Sequence, residues 1–242
     1  MTDDNADDFA RPPPGGAAVA PLCLLARGFA GAAWGTLATA LLYSAHAFLA
    51  LDSLSIHLPA YVFGSLLTGW GVLCLYEYLE LSGGDLRPAR VLLLMLAAQL
   101  YMAPFIVWHK SRPLEPFFMG NYIASMVVLL LTMLLLNLTA AQLLRRLGRP
   151  AAGRWAAGLV AVMLLAGLGL LALLGRTVVW ADAPTDYSPV MTLIDRSWGD
   201  WGVVAAALGT MLVCHFGRQS ALERLAGLPH AVTPPDDAEE ED

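Results

Sequence analysis

Five stretches of this 242-residue chain run 19 residues or more without an Asp, Glu, Lys or Arg, and a sixth of 17 follows near the C-terminus. A helix needs about 20 apolar residues to cross the hydrocarbon core of a bilayer. Inside lipid the backbone has no water to bond, so an apolar stretch of that length must pair its own N–H and C=O groups as a helix. The stretches predict spans at Gly28–Leu51, Leu58–Leu79, Ala89–His109, Asn121–Leu144, Trp155–Gly175 and Trp201–Phe216. The expected fold is therefore all-α, an integral membrane bundle of six transmembrane helices occupying residues 28–217. A disordered or interfacial tail over 1–27 precedes it, and an acidic tail over 218–242 follows.

Composition agrees. Charged residues make up 14 % of the chain and hydrophobic ones 57 %, where a soluble domain carries about 25 % charged. The formal charge of −6 belongs to the tails: ten of the 20 acids lie at Asp3, Asp4, Asp7 and Asp8 and at Asp236, Asp237, Glu239, Glu240, Glu241 and Asp242. Polar, Pro- and acid-rich tails of this kind lack the apolar groups that would fold them. The leading segment is acidic and then reads Arg11-Pro-Pro-Pro-Gly-Gly, which lacks the basic region of a secretory signal. Cys23, Cys74 and Cys214 form no CxxC and no even set, so they are expected to be buried thiols rather than a disulfide framework or zinc knuckle.

Basic residues orient a bundle, because Lys and Arg are retained on the cytoplasmic side. With both termini inside, the inner side holds Arg11, Arg27, Arg87, Arg90, Arg145, Arg146, Arg149, Arg154, Arg218 and Arg224, and the outer side only Lys110, Arg112, Arg176 and Arg196. The expected placement is a plasma (inner) membrane with both termini cytoplasmic. Interface-seeking aromatics divide accordingly, with Trp108, Tyr122, Trp180, Tyr187, Trp198 and Trp201 outside and Tyr76, Tyr78 and Trp155 inside. The longest connection, residues 176–200, is then external.

The span centres hold no charged residue, only Gln99, Thr132 and Asn137 as notable polar groups. Ion pumps and proton relays place ionisable groups within the membrane, so the pattern argues against both. Gln99 and Asn137 read as interhelical hydrogen-bonding groups. No span contains a lysine, which removes a Schiff-base chromophore. Small residues permit close helix approach in lipid, and Ala157-xxx-Ala161 and Ala205-xxx-Gly209 fit that spacing. Pro104 lies inside the third span and cannot donate to the carbonyl of Leu100.

Two constellations could carry chemistry. At the inner end of the second span, Glu77 and Glu80 share a helix face beside a C-terminus whose dipole disfavours negative charge. Arg87 and Arg90 across the short loop are their expected partners, with Arg145 and Arg146 next. A metal or phosphate-handling site is the sharper reading of this charge cluster, with Asp85 as a third carboxylate. At the outer side lie His46, His57, His109 and Asp52. Imidazoles suit zinc, copper and iron and can ligate haem axially. His46 and His109 are the candidate cofactor ligands, and His57 and Asp52 the candidate metal ligands. Counting residues at 1.5 Å each puts His46 and His109 about 8 Å apart in depth, which disfavours a level bis-His haem. His215, near the inner end of the sixth span, reads as interfacial. Nucleotide-loop and nucleophile-elbow motifs are absent, and no basic face suits nucleic acid.

Three function classes follow. The first is a non-catalytic membrane subunit or scaffold, with the lipid bilayer and other membrane proteins as partners. The second is a haem- or metal-binding membrane redox protein using the outer histidines. The third is an uncoupled transporter or lipid-handling protein. The cofactor, the substrate and whether any reaction is catalysed are not specified by the sequence.

Overall fold

A computed structural model describes residues 19–49, 54–111, 115–179 and 198–228. These form six helices and, among the described residues, no strand: α1 (Val19–Leu49), α2 (Leu54–Leu81), α3 (Arg87–Ser111), α4 (Pro116–Arg146), α5 (Pro150–Val179) and α6 (Trp198–Ala226). Among the described residues, four segments are long and apolar enough to cross a membrane: Tyr61–Leu81 in α2, Arg87–Phe105 in α3, Gly120–Arg146 in α4 and Pro150–Gly169 in α5. The helices outrun the apolar stretches. α1 begins at Val19 rather than Gly28, and α6 continues through Arg218 and Arg224 to Ala226. Ends of helices can leave an apolar medium without unwinding, because their backbone bonds are internal.

The turns that reverse the chain are encoded locally. After α2, Gly84 N–H donates to the carbonyl of Leu79 at 2.7 Å while Gly83 sits at φ +65°. After α4, Arg149 N–H donates to Leu144 at 2.9 Å with Gly148 at φ +71°. Both are six-to-one helix caps around a left-handed residue, a conformation that glycine adopts without a Cβ penalty. Pro150 then occupies the first position of α5, where its missing N–H costs nothing. Asp85 accepts from the Arg87 N–H at 3.0 Å and helps start α3.

α1, α2, α3, α4 and α6 are neighbours in a closed ring, and α5 lies against α4 and α6. The ring is filled, not hollow. Near the α2–α3 and α4–α5 turns, Phe29, Leu75, Leu92, Leu136, Leu144 and Cys214 are part of one buried cluster. Towards the other end, Ala40, Tyr61, Ala103, Met126, Met133 and Ala207 are part of a second.

The α1–α2 interface is the most extensive in the bundle, and glycine makes it possible. A Cβ on Gly35 would lie 2.3 Å from the Thr68 nitrogen, one on Gly71 2.3 Å from the Ala32 nitrogen, and one on Gly64 2.7 Å from the Thr39 nitrogen. Backbone therefore meets backbone along an antiparallel seam running from Gly28–Leu75 to Thr39–Gly64. Thr39 and Thr68 fit there because their hydroxyls bond the carbonyls one turn back, Gly35 at 2.8 Å and Gly64 at 3.0 Å. The expected stripe Ala157-xxx-Ala161 is not the packing face of α5. Ala161 is exposed, and Gly153, Ala156 and Val160 are the buried positions. Gly209 does pack closely: its Cβ would meet Leu159 of α5 at 2.9 Å.

Candidate functional site

The interior polar groups lie between helices. Gln99 on α3 donates to Thr132 Oγ1 on α4 at 2.8 Å. Asn137 on α4 donates to Thr210 Oγ1 on α6 at 2.8 Å and to the Met133 carbonyl at 2.8 Å, with Met163 Sδ of α5 at 3.9 Å. All of these but Met163 are buried. Thr132 and Thr210 pass their own protons to Val128 and Ala206, so each hydroxyl is donor and acceptor at once. Gln99 and Asn137 thus act as the interhelical groups that the sequence suggests; their partners Thr132 and Thr210 come from the structure. The buried polar groups among the described residues are neutral: Ser, Thr, Gln and Asn side chains, and the Tyr61 hydroxyl. Tyr61 Oη, Ser65 Oγ and Asn137 Oδ1 are buried without a protein partner there.

Charge collects at one end. Arg27, Arg87, Arg90, Arg145, Arg146, Arg149, Arg154, Arg218 and Arg224 are all exposed, and all lie towards the end that carries the α2–α3 and α4–α5 turns. Arg149 and Glu223 form an ion pair between the α4–α5 turn and α6. Arg224 donates to the Arg146 carbonyl at 3.3 Å, fastening the same two elements. Glu77 and Glu80 are exposed on α2, and among the described residues no guanidinium comes within 4.0 Å of either. The expected pairing with Arg87, Arg90, Arg145 or Arg146 is not made. Exposure supplies the reason: water screens the two carboxylates well enough that no partner is required. Asp85 is taken up by its cap. No three His, Cys, Asp or Glu side chains among the described residues are grouped to hold a metal ion.

The opposite end is aromatic. Phe105 and Trp108 of α3 meet at 5.5 Å, Phe105 and Phe117 of α4 at 5.9 Å, and Trp108 and Phe118 at 6.0 Å, mostly edge to face. The candidate ligands belong to this end. His46 is in the last turn of α1, His57 in the first turn of α2 and His109 in the last turn of α3. Their side chains, and Asp52 as a whole, lie outside the described residues. His215 is exposed on α6 with Gln219 Nε2 at 3.1 Å from its Nε2, remote from the other three.

The residues that the sequence reading missed are the seam glycines. Gly31, Gly35 and Thr39 recur every four residues, as do Gly64 and Thr68, but 22 glycines in the chain make many such matches. Comparison with family models, with curated proteins and with solved structures finds no match to this chain.

Proposed function

We propose that this chain is a six-span integral protein of a plasma (inner) membrane, with both termini cytoplasmic, acting as a non-catalytic membrane subunit or scaffold. The observation that carries the reading is the use of its interior. Among the described residues the buried polar groups are neutral, and Gln99–Thr132 and Asn137–Thr210 use them to hold helices together. A pump or relay would keep ionisable groups there.

Orientation follows from the two ends. Nine exposed arginines at one end, against an aromatic layer at the other, match a cytoplasmic face and an outer interface. α1, of 31 residues, and α6, of 29, complete the six spans: each is long enough to cross a bilayer, and each packs against two or more of the other helices. Their small residues allow tight packing, and each also turns large apolar side chains outward, Trp34 and Leu41 on α1 and Leu208, Leu212 and Phe216 on α6, as lipid-facing helices do. The working surfaces of such a protein are its lipid-facing helices and its end faces. α5 presents Val162, Leu165 and Leu168 outward, each more than 60 % exposed, and its partners are the bilayer and other membrane proteins. Nothing in this reading calls on nucleic acid.

The test has two arms. Gently extracted from its own membrane, the chain should migrate with a second polypeptide at fixed stoichiometry, and a photo-crosslinker at Leu165 should trap that polypeptide. Reconstituted alone in vesicles, the chain should pass no ion or solute. Solute flux by the chain alone, or a native mass equal to one chain in its lipid belt, overturns the scaffold reading.

A further inference from the structure

α5 holds the least buried of the four apolar segments, and its exposed face changes chemistry along its length. Arg154, Gly158, Ala161, Leu165 and Leu168 follow one another at steps of three and four residues and are all exposed, so they lie on one side of the helix. Trp155, beside Arg154, is 80 % exposed. Charge comes first, then an indole, then an apolar surface.

A second arginine joins the charged end from α4. Arg145 Cγ and Nε lie 2.9 Å and 3.5 Å from where a Cβ of Gly153 would stand. The Arg145 side chain therefore runs across the first turn of α5, next to Arg154, because Gly153 has no side chain to push it away. α5 carries no Asp or Glu, and neither arginine has a carboxylate within 4.0 Å among the described residues. Arg149, by contrast, is paired with Glu223. Two neighbouring guanidinium groups without a counter-charge favour an anion beside them, and guanidinium matches the oxygens of a phosphate in pairs.

We infer that the inner end of α5 binds one anionic phospholipid, its phosphate held by Arg145 and Arg154 and an acyl chain lying along Gly158, Ala161 and Val162. The order of groups on α5 is the order within a lipid: phosphate, glycerol region, hydrocarbon. Tryptophan belongs to the membrane–water interface, and basic pockets between spans on the cytoplasmic side take anionic headgroups. The lengths agree. Trp155 to Leu165 is ten residues, about 15 Å, which is half of a hydrocarbon core about 30 Å thick. Gly158 has no atom within 4 Å of its Cβ position, which leaves a recess between Trp155 and Val162 for the chain. A soluble anion would use the arginines alone and leave the indole and the apolar stripe without a role. The inference rests on α5 spanning the membrane with its arginine end at the interface, and not on the scaffold role. Leu165, about 16 Å beyond Arg154, and the rest of α5 stay open to a protein partner.

The experiment is native mass spectrometry of the full-length chain in micelles that contain phosphatidylglycerol and phosphatidylethanolamine in equal amounts. One phosphatidylglycerol per chain should survive removal of the micelle, and excess inorganic phosphate should not displace it. Arg145→Gln and Arg154→Gln should each weaken retention about fivefold, and together about thirtyfold. Arg218→Gln, an exposed arginine on α6, should change nothing. Gly158→Leu should also weaken retention while the chain stays folded, since the new side chain meets no protein atom. A photo-crosslinking residue at position 158 should label lipid in the native membrane. Equal retention of both lipids, retention unchanged by the double arginine variant, displacement by phosphate, or capture of a polypeptide from position 158 overturns the proposal. Resistance of the chain to carbonate extraction tests the membrane reading by itself, so the two failures are distinguishable.

Discussion

Asn137 and Thr210 stand 73 residues apart in the chain and share a 2.8 Å hydrogen bond in the buried interior. The bond joins α4 to α6, and the Met163 sulfur brings α5 to the same point. One amide thus touches three helices whose order around the bundle is not their order in sequence.

Asn137→Ala should destabilise the bundle by about 1–3 kcal/mol, combining a lost interhelical bond with a small cavity. Asn137→Leu should cost less, because it refills the space and also removes Oδ1, which has no partner among the described residues. A cycle with Thr210→Val should give a coupling of about 0.6 kcal/mol, the usual size of such bonds in membranes. Reversible unfolding in mixed micelles measures all three.

The seam glycines should tolerate no side chain. Gly71→Ala and Gly35→Ala place a methyl 2.3 Å from a backbone nitrogen of the facing helix, and backbone cannot rotate away. Each should cost about 1–3 kcal/mol or more, as overpacking does. Gly69→Ala, two residues from Gly71 but with nothing within 4 Å of its Cβ position, should stay within about 1 kcal/mol of the parent. The contrast between Gly69 and Gly71 in one unfolding assay separates close packing from helix propensity.

The Arg149–Glu223 pair should matter little to stability. Its side chains are 54 % and 57 % exposed, and exposed pairs contribute about 0–1 kcal/mol. Glu223→Gln should lower stability by less than about 1 kcal/mol, and the difference should shrink in high salt. Glu77→Gln and Glu80→Gln should leave stability unchanged, since neither carboxylate has an ion-pair partner among the described residues.

Reporter fusions check the orientation. A reporter at the C-terminus should report cytoplasm, and one inserted within residues 176–200 should report the outer side. Replacing Arg145, Arg146, Arg149 and Arg154 by neutral residues should weaken that preference, because retention of basic residues sets orientation. A C-terminal reporter on the outer side would reverse the assignment of the arginine-rich end.

Much of the architecture is written in local chemistry. Charge-free stretches of 19 residues or more mark five of the six helices and one of 17 marks the last, and Gly83, Gly148 and Pro150 mark where the chain turns. Gln99 and Asn137 stand out because polar groups in an apolar run need partners. Helix ends are less legible in the sequence. Val19–Arg27 and Arg218–Ala226 are helical although the apolar stretch does not cover them, since helical backbone bonds do not depend on an apolar surrounding.

The sequence by itself determined the helices, their turns and the asymmetry of charge, because these depend on residues within one or two turns of each other. Tertiary structure alone decided which faces meet. It put the closest approach on Gly35 and Gly71 rather than on Ala157 and Ala161, paired Asn137 with Thr210, and left Glu77 and Glu80 in the open. Each of those outcomes depends on the register between separate helices. Register is set by the sum of many small contacts along a seam, and no single residue in the chain announces it.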